Sequence, residues 1–141
     1  MGARRKAREC ALQMLFQWDL GKQEPEHVKA TYWQDLKVSE EVRKFAEELF
    51  DGVIAQSDQI DQLLRKHSQH WRLERMATVD RNILCLAVYE LRAHLETPRA
   101  VIINEALEIA RKFSTPEAVQ FINGVLDGVR KGLEASKAAR D

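Results

Sequence analysis

Cysteine is nearly absent from this chain. Its two cysteines, Cys10 and Cys85, lie far apart and form no CxxC pair. A disulfide framework needs more, so both read as reduced thiols of an intracellular protein. Long apolar runs are missing too: no stretch approaches the ~18 residues that a membrane span requires. The N-terminus is basic but lacks the apolar segment of a signal peptide. These absences lead us to expect a soluble, cytoplasmic protein. Neither sign of charge is in excess, since 22 Lys and Arg face 22 Asp and Glu. Net charge therefore excludes nothing, and only its distribution can inform. GxxxxGK[ST], GxGxxG and GxSxG are absent, which leaves phosphate-cradle and serine-hydrolase chemistries without a motif. HExxH is absent as well. His67 and His70 are three apart, but no cysteine or third ligand accompanies them, and polar surface histidines are the preferred reading.

Helical periodicity is what the chain does have. With 45% hydrophobic residues in 141, it is long enough for one domain with a real core. The stretch Met76 to Leu95 organises the rest. At 3.6 residues per turn, Val79, Ile83, Leu86, Ala87 and Leu91 share one face. Leu84, Cys85 and Val88 make the other faces apolar too, so this helix belongs in the middle with others laid against it. Glu90 falls within the apolar face, where a charge needs a partner or a raised pKa.

In chain order, Ala7, Ala11, Met14, Leu15 and Trp18 mark a first helix that Gly21 ends. Phe16 lies roughly 140° off that face. Lys22 to Val38 reads as a loop with one short turn of helix around Glu26 to Trp33. Ser39 caps a helix carrying Val42, Phe45, Ala46, Leu49 and Val53, with Glu40 and Glu41 in its first turn. Asp58 caps a shorter one holding Ile60, Leu63 and Leu64. Trp71 pins the next connection, with Leu73 and Met76 under the central helix. Thr78 caps that helix, which stops at Thr97-Pro98. Pro98 then opens a helix whose buried face is Ile102, Ala106, Leu107, Ala110 and Phe113. Thr115 caps the last one, with Pro116 and Glu117 in its first turn and a stripe of Ala118, Ile122, Val125, Leu126, Val129 and Leu133. The polar tail from Glu134 to Asp141 is expected to fray. Six or so amphipathic helices without strands predict an all-α bundle.

Two features suggest chemistry. Arg4, Arg5, Lys6 and Arg8 crowd the start of the first helix. Cations there oppose the helix dipole, which makes the cluster poor structure and plausible function. A phosphate-binding surface and a solvated tail are both open on this evidence. Phe121 lies roughly 100° from the centre of the last stripe, beside Asn123 and Gly124. An exposed ring there can stack unpaired bases, and a core-edge ring is the alternative. Glu90 and Glu105 are the carboxylates to weigh as general acids. Without a pocket motif or second catalytic group, structural roles are preferred.

Taken together, Arg4-Arg5-Lys6-Ala7-Arg8-Glu9-Cys10-Ala11, Trp71-Arg72-Leu73, Val79-Asp80-Arg81-Asn82-Ile83-Leu84, Tyr89-Glu90-Leu91, Ile103-Asn104-Glu105-Ala106 and Phe121-Ile122-Asn123-Gly124-Val125-Leu126-Asp127 resemble the NusB family of transcription antitermination factors. The resemblance spans nearly the whole chain. It implies one all-helical NusB-like domain over 1–141, built as two packed helical subdomains of about 1–67 and 68–141. It implies no catalysis and no cofactor. It implies binding of boxA RNA from ribosomal RNA operons together with NusE, a small-subunit ribosomal protein, so that RNA polymerase, with NusA and NusG in the same complex, passes terminators. Carried across by position, Arg4, Arg5, Lys6, Arg8, Arg81 and Phe121 would face RNA. Phe16, Asp80 and Glu117 would lie on the partner surface. Two positions depart from relatives: Cys85 replaces a frequent basic residue, and Ala118-Val119 replaces a more polar pair. A related module opens some ribosomal RNA cytosine methyltransferases, but 141 residues leave no room for their S-adenosylmethionine domain. The other alternative is a helical module that binds only protein. Monomer and homodimer both remain open.

Overall fold

The computed structural model describes residues 2–68 and 75–140, the side chains of 139 and 140 excepted. Seven helices and no strand occur among the described residues: α1 (Gly2–Gly21), α2 (Pro25–Tyr32), α3 (Glu40–Ala55), α4 (Ser57–His67), α5 (Thr78–Ala93), α6 (Arg99–Phe113) and α7 (Pro116–Arg140). His70, Trp71 and Leu73 lie outside the described residues. None of the described helices is long and apolar enough to cross a membrane.

The chain divides into two compact units, Met1–Ala55 and Gln56–Asp141. The boundary thus falls before α4 rather than after it, near residue 67, as the sequence suggests. The reason is where α4 buries its stripe: Ile60 and Leu64 are buried, and the helix packs on α5 and α7.

In the first unit α1 packs along α3, and α2 lies on α1. Ala7, Cys10, Ala11, Met14 and Leu15 meet a core that includes Val42, Ala46, Leu49 and Phe50, all buried. Phe50, outside the stripe predicted for this helix, is completely enclosed. Phe45, assigned to that stripe, is only half-buried. Two polar ties join the α2 region to α3. Trp33 donates its indole N–H to the Glu47 carboxylate at 2.8 Å, and Lys29 sits 2.9 Å from Asp51. Helix α1 does end at Gly21, but the left-handed residue is Lys22, with φ 52°. Its N–H closes on the Trp18 carbonyl at 3.0 Å.

In the second unit α5 is central, in contact with α4, α6 and α7. From Asn82 to Leu91 every residue but Cys85 is buried. Burial on all sides is what an all-round apolar helix requires. Several helix ends shift relative to the sequence reading. Ser39 caps α3 through the Val42 N–H at 3.2 Å, and Thr115 caps α7 through the Ala118 N–H at 3.1 Å. Asp58 and Thr78 do not cap: Gln56 and Ala77 hold those positions, without a side-chain cap bond. Asp58 instead sits in the first turn, where its charge suits the dipole. Helix α5 stops at Ala93, well before Pro98, and Pro98 is the cap residue of α6 rather than its first residue. The tail does not fray at Glu134: α7 continues to Arg140. Its alanines are strong helix formers, and Glu134 pairs with Arg130 at 3.2 Å and with Arg99 of α6 at 3.4 Å.

His67 is not a surface histidine. Its ring lies in the notch left by Gly128 and Gly132 of α7, where an added Cβ would come within 3.2 and 3.0 Å of its nitrogens. The Nε2 atom is buried with no hydrogen-bond partner among the described residues. Burial, reinforced by the adjacent Lys66 charge, pushes the imidazole below its ordinary range. A base with a depressed folded pKa is protonated first in the unfolded chain. The stability it contributes is therefore full above pH ~6.5, the unfolded value, and declines as pH falls through the lower folded value. Thermal melts from pH 8 to 5 should show the wild-type melting temperature falling faster below ~6.5 than that of His67→Gln. Parallel curves would contradict this.

Candidate nucleic-acid interface

The first unit presents the basic start of α1. Arg4 and Lys6 are exposed, Arg5 is half-buried, and Arg8 is only 5% exposed. Arg8 is therefore not a surface cation, contrary to what the sequence suggests. Spaced i,i+4, Arg4 and Arg8 share a side of α1, where like charges repel and the dipole is unfavourable. Both lean on one ring: the guanidinium carbons lie 4.5 Å and 5.6 Å from the centroid of Phe45 on α3. A cation over an aromatic face gains about 0.5–1 kcal/mol when exposed and about 2 when desolvated. The cluster thus has structural support that periodicity along α1 alone does not show. Further along α1, Phe16 is 42% exposed and Leu20, one turn on, is 66% exposed.

The second unit places its candidate residues around the corner between α6 and α7. Ser114, in that corner, donates its hydroxyl to the Asp80 carboxylate at 2.5 Å, which ties the start of α5 to the corner. Glu117 is exposed in the first turn of α7. Phe121 follows one turn later on the same side and is half-buried, while Ile122 beside it is fully enclosed. Arg81 is exposed and 3.7 Å from Asp61 of α4. Phe113 belongs with this corner too. It is 39% exposed, with the Lys112 ammonium 5.2 Å from its ring centroid. Helical spacing put it on the buried stripe of α6, yet the helix ends there and no further turn covers it. The signal was its place directly before the Ser114-Thr115-Pro116 break.

The buried carboxylates point away from catalysis. Glu90 is 2% exposed, and its Oε1 lies 3.3 Å from Nδ1 of His94, itself edge-on to Tyr89. Glu105 is equally enclosed. A general acid must reach its substrate, and carboxylates sealed in a helical core do not. Among the described residues, no three His, Cys, Asp or Glu are grouped to hold a metal ion. The arrangement is one of exposed cations in one unit and of rings beside carboxylates in the other, suited to binding.

Residues 5–131 match the profile of the NusB family. The chain belongs to that family. It is 57% identical over 137 residues to the transcription antitermination protein NusB of Koribacter versatilis, covering 96% of this chain and 94% of that protein. Among solved structures it is similar to T. maritima NusB, with a TM-score of 0.83 and 32% identity over 91% of this chain and 90% of that one. It is also similar to NusB in the crystal structure of antitermination factors NusB and NusE in complex with dsRNA. There the TM-score is 0.83 and the identity 26%, over 94% of this chain and 98% of that one. The NusB match takes in every candidate residue above except Arg4, which directly precedes it. The described residues form the all-helical architecture that the sequence predicts.

Proposed function

We propose that this protein is a non-enzymatic, RNA-binding transcription antitermination factor. It works in the cytoplasm, binds boxA RNA of ribosomal RNA operons together with NusE, and helps RNA polymerase pass terminators in a complex with NusA and NusG. The observation that carries this reading is the full-length likeness to a NusB found with NusE and RNA. Arg4, Arg5 and Lys6 are the phosphate contacts of the first unit. Phe121 and Arg81 are the RNA contacts of the second, with Phe121 stacking an unpaired base. Phe16 in the first unit and Asp80 and Glu117 in the second serve the protein partner. Arg8, enclosed in its own unit, leaves the phosphate-binding set.

The test is a titration of boxA-like single-stranded RNA at several salt concentrations, with and without NusE, beside a scrambled RNA and a duplex. Each phosphate neutralised on a single strand contributes roughly −0.7 to the slope of log K against log salt, so three contacts predict about −2. We expect that slope, tighter binding of boxA than of scrambled RNA, and a gain with NusE. Negligible binding at every salt concentration, alone and with NusE, would leave a module that binds only protein.

A further inference from the structure

We propose that Phe45 is a positioning residue for RNA, holding the Arg4 guanidinium face-on so that its edge is presented to a phosphate. The proposal rests on the RNA-binding reading above. Its basis is geometry in the first unit. Helix α3 packs on α1 and brings the half-buried Phe45 ring under the helix start, 4.5 Å from the Arg4 guanidinium carbon. No carboxylate among the described residues lies within ion-pair distance of Arg4. Guanidinium is planar, with its five N–H donors around the edge and weakly hydrated faces. A ring takes a face and a phosphate takes the edge, so the two contacts do not compete. A carboxylate in the place of Phe45 would occupy the edge and cancel the charge. The ring orders the side chain while keeping both. The enclosed Arg8 has its guanidinium carbon 5.6 Å from the same ring, so the ring carries a second cation contact. An arginine held in advance loses less freedom on binding than one waving in solvent.

The experiment compares Phe45→Leu, which keeps apolar volume, with Phe45→Tyr, which keeps the ring. Salt-dependent binding of boxA-like single-stranded RNA is measured for both and for wild type, alongside melting temperatures. NMR of the free proteins reports whether the Arg4 side-chain protons carry an aromatic ring-current shift. We expect that shift in wild type and Phe45→Tyr and its loss in Phe45→Leu. Phe45→Leu should bind about three- to tenfold more weakly, with a shallower salt slope, while Phe45→Tyr stays within twofold of wild type. Binding by Phe45→Leu equal to wild type, or an equal loss in both variants, would overturn the proposal while leaving the RNA reading intact. A wild type that shows the ring-current shift but no salt-dependent binding would end the RNA reading and this role with it.

Discussion

Replacing Arg4, Arg5 and Lys6 together by glutamine should weaken binding of boxA-like RNA by roughly fiftyfold at ~0.15 M salt. The figure follows from counterion release alone. Three lost phosphate contacts remove about 2 from the salt slope, so the wild-type and variant lines should diverge as salt falls and meet near ~1 M. The loss should be similar for scrambled RNA, because phosphates carry no sequence information. Removing cations from a helix start relieves its dipole, but Arg4 also gives up its contact with the Phe45 ring, about 0.5–1 kcal/mol, so the fold should survive with a small net change in melting temperature. Arg8→Gln is the contrasting variant. Its side chain is 5% exposed and leans on Phe45, so its removal should lower the melting temperature rather than act on the salt slope alone. Equal salt slopes for triple variant and wild type would show that the phosphate contacts lie elsewhere.

Phe50→Ala should be the most damaging single core substitution in the first unit, at about 3–5 kcal/mol. Phe50 is fully enclosed on α3, the helix along which α1 packs. Truncation removes the transfer free energy of the ring and leaves a cavity that close-packed helices refill only in part. Against a total stability of about 5–15 kcal/mol, that is enough to populate unfolded chain at physiological temperature. Urea unfolding should show a lower midpoint at unchanged slope, and Phe50→Leu should recover most of the loss. A cost below ~1 kcal/mol for the alanine variant would mean that the ring is not an anchor.

How far the fold could be read in advance depended on the distance over which each signal acts. Ser39 and Thr115 were legible as caps because a hydroxyl meets an amide three residues on, within one turn. Asp58 and Thr78 carry the same chemistry, but the chain turns into α4 and α5 just before them, so they fall inside the helix. Phe16 was legible as an off-stripe ring and is exposed. Phe113 was not, because a helix wheel assumes that the partner helix continues past the last turn. Phe50 was missed although it stands one turn after Ala46: it and Phe45 flank the same stripe on opposite edges, and only the packing on α3 decides which ring is enclosed. His67 gave no local sign of burial, since its notch is made by two glycines some sixty residues away in sequence.

The sequence by itself determined that six or so stretches are helical, that α5 is enclosed on all sides, and that cations gather at the start of α1. Those follow from periodicity, capping and composition, all of which act within a few residues. Tertiary structure alone decided that α4 joins the second unit, that Arg8 is enclosed while Arg4 is not, and that one ring on α3 supports both. Those outcomes depend on which apolar face meets which. Burial is a non-directional force, so a stripe announces that it will be covered without naming what covers it.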